Sequence, residues 1–232
     1  MSWHIAGEQH SHPYELLGDL LLGLNDGVAT TLVFALSVAG ASTSRHTVIV
    51  AGLAEMLAGG VSMSLGGFAS AQAENEAAEH QIAVERHEIE VEPEEERAEL
   101  REIYREKGFS GTNLTSIVDY LTSDKERWLQ SMIRDELLLR PGEFRSPWRV
   151  SGTIGLAFMV GAFVPLLPFL IGISYSQIAA ACLSISTLFV TGALRSRYTD
   201  QSWTRSGGQM LVIGLVGAVA GVLIGFLLSR HF

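Results

Sequence analysis

HTVIVAGLAEMLAGGVSMSLGGFASAQAENEAAEHQIAVERHEIEVE, residues 46–92, decides how this chain folds. Its first half, His46–Ser70, holds one acidic side chain, Glu55, among apolar and small residues, and is long enough to cross a bilayer. Its second half, Ala71–Glu92, contains no Gly or Pro and is dense in Glu. That pattern predicts one helix that leaves the membrane as a polar rod and stops at Pro93.

Four further stretches have spanning length. Leu16–Gly40 is apolar apart from Asp19, Asn25 and Asp26, whereas Val150–Ile173, Ser174–Leu194 and Ser206–Ser229 carry no charge at all. The predicted fold class is an all-α integral membrane protein: five transmembrane helices with a cytosolic helical-bundle insert between helices 2 and 3. Residues 1–73 would hold helices 1 and 2 with a cytosolic N-terminus, 74–149 the acidic insert, and 150–232 helices 3 to 5. The alternative, that the first two stretches are core helices of a soluble domain, leaves them without a soluble core to join.

Charge divides the chain in the same way. Residues 74–149 hold 30 of the 41 Asp, Glu, Lys and Arg, with 19 acidic against 11 basic, and so contain eight of the nine excess negative charges. The acidic balance disfavours nucleic acid and anionic lipid as partners and favours cations. A lone Cys182 excludes an internal disulfide or a Cys-based zinc site. Arg145, Arg149, Arg195, Arg197 and Arg205 mark one side of the membrane, Arg45 and Arg230 the other. The positive-inside rule then puts the N-terminus and insert in the cytosol and the C-terminus outside. Met1–Pro13 lacks the basic-then-apolar pattern of a cleavable signal peptide.

Within the insert, Glu94–Glu106 reads as a helix stopped by Lys107-Gly108, and Asn113–Leu121 as a short helix with apolar residues at 114, 117, 118 and 121. Ser123–Glu126 reads as a capping box opening a last helix. Its apolar face is Trp128, Leu129, Met132 and Ile133, and Pro141-Gly142 is its stop. In the membrane part, Gly59, Gly60, Gly66 and Gly67 on helix 2, and Gly217, Gly221 and Gly225 on helix 5, favour close helix packing, within one subunit rather than across a dimer. Pro165 and Pro168 predict a kink in helix 3.

Several acidic residues stand where chemistry is expected. Asp26 and Glu55 lie near the middle of helices 1 and 2, where an ionised carboxylate costs about 2.5–3.5 kcal/mol. No Lys or Arg within a span can pair with them, so they mark an ion or proton path or, alternatively, protonated carboxyls that join helices. Met63 lies eight residues beyond Glu55, ~12 Å along the helix and ~80° around it, so both can border one broad face. A thioether beside carboxylates shifts preference from Mg2+, Ca2+ or Mn2+ toward Fe2+ or Zn2+. Glu85, Glu88, Glu92, Glu96 and Glu99 are spaced 3, 4, 4 and 3. Two helical pieces meeting at Pro93 could converge them on a metal; a solvated face paired with Arg86, Arg97 and Arg101 is the alternative. Met132 and Glu136, one turn apart, could complete such a site. His80 and His87 share a helix face, and His10 and His12 lie near the N-terminus, without pointing to a ligand set. No nucleophile–base pair, phosphate loop or dinucleotide fingerprint appears, so an enzyme is not expected.

Gly23-Leu-Asn-Asp-Gly27, Ala51-Gly-Leu-Ala-Glu55 running to Ser62-Met-Ser-Leu-Gly-Gly67, Glu85-x-x-Glu88…Pro93…Glu96-x-x-Glu99 and Trp128-Leu-x-x-Met132-x-x-x-Glu136 together resemble the vacuolar iron transporter family, the branch with a cytosolic metal-binding domain. The resemblance covers about Tyr14 to Leu228. It implies a homodimer with five spans per chain that exports Fe2+, and often Mn2+, from the cytosol against inward proton movement. The implied path lies between the first two spans at the dimer interface, with Asp26, Glu55 and Met63 matching its residues. Glu85, Glu88, Glu96, Glu99, Met132 and Glu136 match the family's metal-binding domain. Ile133 departs from it, standing where a second methionine can occur, and so loosens preference for softer metals. Implied partners are divalent metal and the lipid bilayer, in a bacterial inner membrane or a vacuolar-type membrane, with protons as coupling ion. A membrane-anchored metal buffer or sensor without flux, and a Ca2+ or Mg2+ channel, are the competing functions.

Overall fold

A computed structural model of the protein describes residues 13–41, 44–139, 144–196 and 201–231. These form eight helices: α1 (Pro13–Ala41), α2 (Arg45–Val91), α3 (Pro93–Glu106), α4 (Gly111–Thr122), α5 (Lys125–Asp135), α6 (Pro147–Ile171), α7 (Ser176–Arg195) and α8 (Trp203–His231). The described residues contain no strand. Five helices, α1, α2, α6, α7 and α8, are long and apolar enough to cross a membrane. In α2 the apolar part is the N-terminal one; from Glu74 onward the helix is polar. The chain divides into two compact units, Met1–Ala69 with Pro147–Phe232, and Ser70–Ser146.

In the first unit α1 packs against α6, α7 and α8. Glycine permits the closest approaches. A methyl group at Gly23 would collide with the carbonyl oxygen of Ile154, and one at Gly27 with that of Phe158. Both glycines of the Gly23–Gly27 run therefore seat α1 on α6. On α8, Gly221 lies against the Val33 carbonyl and Gly225 against the Ser37 carbonyl. This stripe thus packs within the chain, as small residues at four-residue spacing do in lipid. Ser37 adds a hydrogen bond, donating to the Gly221 carbonyl at 3.1 Å. Leu32, Leu36, Val48, Leu166 and Phe169 fill the space between helices. Outward-facing Val212, Val216, Val219, Leu223 and Leu227 of α8 stay exposed, the arrangement that suits side chains meeting hydrocarbon.

Helix α6 runs unbroken through Pro165 and Pro168, both buried inside it. It ends at Gly172, whose φ of +85° suits glycine. The Arg45 guanidinium caps it, with Nε 2.5 Å from the Phe169 carbonyl oxygen and Nη2 2.7 Å from that of Leu170. A cation at a helix C-terminus meets both its orphan carbonyls and its negative dipole end.

The second unit builds its core from the expected apolar faces. Leu114, Val118, Leu121, Trp128, Leu129, Met132 and Ile133 are buried together with Ile89, Leu100 and Tyr104. Two boundaries differ from expectation. Asp124, not Ser123, is the N-cap of α5, accepting a hydrogen bond from the Arg127 backbone at 2.9 Å. Ser123 instead closes α4, donating to the Tyr120 carbonyl at 2.7 Å. The last helix also stops at Asp135, well before Pro141-Gly142, which lies outside the described residues. Glu136 caps the helix, its backbone N–H still bonded to the Met132 carbonyl, and Leu138 then takes a φ of +53°.

Candidate metal centres

In the membrane unit the acids stand beside hydroxyls. Thr30 Oγ1 donates to Asp26 Oδ1 at 3.3 Å, one turn along α1. Thr31 Oγ1, fully buried, donates to Glu55 Oε2 at 2.6 Å and so joins α1 to α2. Beside Asp26, Asn25 accepts a hydrogen bond from Thr191 of α7 at 2.6 Å. Among the described residues neither acid has a Lys or Arg partner, as their span positions require. Met63 is half-buried on α2, two turns beyond Glu55. It shares the helix side on which Gly59, Gly60 and Gly67 lie against Phe158, Met159 and Ile154 of α6.

In the second unit, the chain reversal at Pro93 turns α3 back beside α2. Carboxylate oxygens of Glu85, Glu96 and Glu136 then lie within 4.8 Å of one another. Glu85 and Glu96 are only 3% and 5% exposed; Glu136 is open to solvent. Glu85 Oε1 and Glu96 Oε2 are buried without any donor. Two such carboxylates can bond each other only if they share a proton, and the upward push is larger on Glu85. Burial, a hydrogen bond to Glu96 and the charges of Glu136, Glu96 and Glu88 push its pKa up to about 8. Burial raises Glu96 as well, helped by Glu99, Glu88 and Glu92 though opposed by the bond from Glu85. Glu136 is raised by burial and then by Glu99, Glu96 and Glu88. Ionised acids held this close repel one another; a proton relieves the repulsion, and so would a divalent cation.

The other expected residues fall around this cluster. Glu88 is half-buried and Glu99 exposed, and both press their charge on it. Met132 is fully buried in the core of the unit, and its carbonyl accepts the Glu136 backbone N–H at 2.9 Å. Glu92 and Glu95 are exposed, as are His80 and His87; His10 and His12 lie outside the described residues. Two of the three arginines expected to pair with the acidic run reach elsewhere: Arg86 to Glu126 at 3.3 Å and Arg97 to Asp119 at 2.7 Å. Neither of these two pairs involves Glu85, Glu88, Glu92, Glu96 or Glu99. Sequence reasoning missed both threonines. Thr30 was visible four residues after Asp26; Thr31 was not, because its partner sits on another helix.

The family model described as the VIT family matches residues 17–226. The chain belongs to the VIT family. Relatives run nearly its full length. Vacuolar iron transporter 1 of Arabidopsis thaliana is 30% identical over 216 residues, covering 92% of this chain and 86% of the relative. Vacuolar iron transporter 2 of Oryza sativa subsp. japonica is 31% identical over 215 residues, with 92% and 87% covered. The vacuolar iron transporter of Plasmodium falciparum is 25% identical over 236 residues, with 97% and 86% covered. The VIT match embraces both the helices bearing Asp26 and Glu55 and the unit bearing the Glu85, Glu96 and Glu136 cluster.

Proposed function

We propose that this protein transports divalent transition metal, Fe2+ and also Mn2+, out of the cytosol in exchange for protons. The observation that carries this reading is the Glu85, Glu96 and Glu136 cluster: three carboxylates within 4.8 Å, with no Lys or Arg paired to any of them among the described residues. Such a cluster holds either protons or a divalent cation, and the two compete for it. The relatives' names supply the metal, and five apolar helices supply the membrane.

In this reading the second unit faces the cytosol, as the arginines flanking the spans favour, and gathers metal there with Glu85, Glu88, Glu96, Glu99, Met132 and Glu136. Asp26 and Glu55 bind the ion in the membrane, with Met63 as a softer ligand. Metal and proton compete for one carboxylate oxygen, and that competition is the physical basis of exchange. Two copies would pair through their first two helices. Exposed Leu57, Val61 and Leu65, each one turn apart on α2, offer an apolar strip for that contact.

The test is Fe2+ uptake into proteoliposomes under reducing conditions, with and without an imposed pH gradient. Wild-type protein should show uptake that depends on the gradient, and Asp26→Asn should abolish it. Wild-type flux in Asp26→Asn would remove Asp26 from the path, and no flux from wild-type protein would leave only a metal buffer.

A further inference from the structure

Hydroxyl side chains in the helices of this protein commonly return to their own backbone. Ser131 donates to the Arg127 carbonyl at 2.9 Å, Thr122 to Val118 at 2.9 Å and Thr187 to Leu183 at 2.9 Å. That local bond is the usual choice for Ser and Thr inside a helix. Thr31 departs from it. Its hydroxyl has a single proton and sends it 2.6 Å across to Glu55 Oε2 on α2, from a position with no solvent exposure. Hydrogen bonds from a hydroxyl to a carboxylate are among the stronger neutral-to-charged contacts.

The contact has a geometric consequence. The last torsion of a glutamate is broad, so an unheld carboxylate samples many orientations. Thr31 holds one oxygen. Glu55 Oε1, on the side of Gly59, receives no hydrogen bond among the described residues. The carboxylate is thus fixed by one oxygen and available through the other. We propose that Thr31 is a positioning residue for transport: its hydroxyl holds Glu55 Oε2 so that Oε1 is presented to the passing metal ion. The proposal rests on the reading that Glu55 binds the transported ion.

A purely structural hydroxyl that joins α1 to α2 makes different predictions, and Thr31→Val and Thr31→Ser separate the two. Valine keeps the shape and removes the donor; serine keeps the donor. Fe2+ uptake is measured in proteoliposomes over a range of Fe2+ concentrations, for both variants, for Glu55→Gln and for Thr31→Val with Glu55→Gln. Thr31→Val should raise KM for Fe2+ about three- to tenfold, the worth of one such bond, while the maximal rate stays within about twofold. Thr31→Ser should restore KM. In the Glu55→Gln background Thr31→Val should add no further loss, because the group it positions is gone. Unchanged KM in Thr31→Val beside an impaired Glu55→Gln would overturn this proposal alone. Loss of maximal rate and of monodisperse protein in Thr31→Val, without rescue by serine, would overturn it in favour of helix joining. Wild-type uptake by Glu55→Gln would remove the reading beneath it, and the proposal with it.

Discussion

The Tyr104 hydroxyl donates to Asp135 Oδ2 at 2.9 Å, tying the last turn of α3 to the last residue of α5. Lys107 Nζ lies 2.6 Å from the other oxygen, and Arg134 Nη2 is 3.2 Å from the first. Burial alone would push the Asp135 carboxyl up. Hydrogen bonds from Arg134, Lys107 and Tyr104 outweigh it and bring the pKa down to about 2. Asp135 is therefore spoken for, and Glu136, the next residue, is the acid left to join Glu85 and Glu96. One anchored acid beside one free acid explains why only the second reaches the cluster.

Asp135→Asn should loosen the end of α5 by about 1–3 kcal/mol, because it weakens hydrogen bonds made to a charged group. The loss should appear as faster hydrogen exchange of peptides from residues 125–139 in the full chain, with weaker metal binding as its companion. The wild-type contribution has a defined pH window. The folded pKa lies below the ordinary 3.8, so the stabilisation is complete above about pH 4 and fades as pH falls toward 2.

The acid cluster should show the opposite sign. Glu85 is raised from 4.5 to about 8, and Glu96 and Glu136 are raised too. A carboxyl with a raised folded pKa favours the folded state fully below pH 4.5, and that contribution is lost as pH climbs through about 8. In chelator, hydrogen exchange in residues 82–139 should therefore be slower at pH 5 than at pH 8, at matched intrinsic rates. Glu85→Gln, neutral at every pH, should flatten much of this dependence.

Metal uptake should release protons. The Glu85 carboxyl, pushed up to about 8 beside Glu96, favours a proton shared by the pair at pH 7, which a bound cation would displace. Calorimetric titration of the full chain with Mn2+ in buffers of different ionisation heat should show proton release at pH 7 and less at pH 9. Glu85→Gln should lose affinity and release fewer protons. Equal heats across buffers at pH 7 would contradict a protonated Glu85.

The helix contacts predict a contrast among glycines of α1. Gly27→Ala would drive its methyl into the Phe158 carbonyl, whereas a methyl at Gly18 meets nothing within 4 Å. Backbone has to shift in the first case and not in the second. Gly27→Ala should lower the yield of monodisperse detergent-solubilised protein and its melting temperature; Gly18→Ala should match wild type in both.

The sequence makes local order legible and distant order less so. Apolar positions 114, 118, 121, 128, 129, 132 and 133 announce the core of the second unit because helical spacing is a local property. The span lengths follow from composition in the same way. The convergence of Glu85 and Glu96 is half legible: Pro93 says that the helix breaks, but the reversal that brings the acids together depends on packing of Leu100 and Tyr104 with Ile89. The start of α5 is ambiguous by one residue in the sequence, because Ser123 and Asp124 are both good N-caps and only Asp124 reaches a free backbone N–H. Its end is not legible, because nothing before Pro141 breaks the pattern; the carbonyls of Met132 and Ile133 are taken by the turn through Leu137 and Leu139. Thr31 carries no local signature at all, since its partner is 24 residues away.

The run from Gly23 to Gly27 binds two properties to one stretch of five letters. Its glycines let α1 settle backbone-to-backbone on α6, and its acid rides between them. A relative that kept both glycines and replaced Asp26 would keep this helix contact and, on the transport reading proposed above, lose a ligand for the ion. Inheritance of the scaffold and inheritance of the cargo can part company at a single codon.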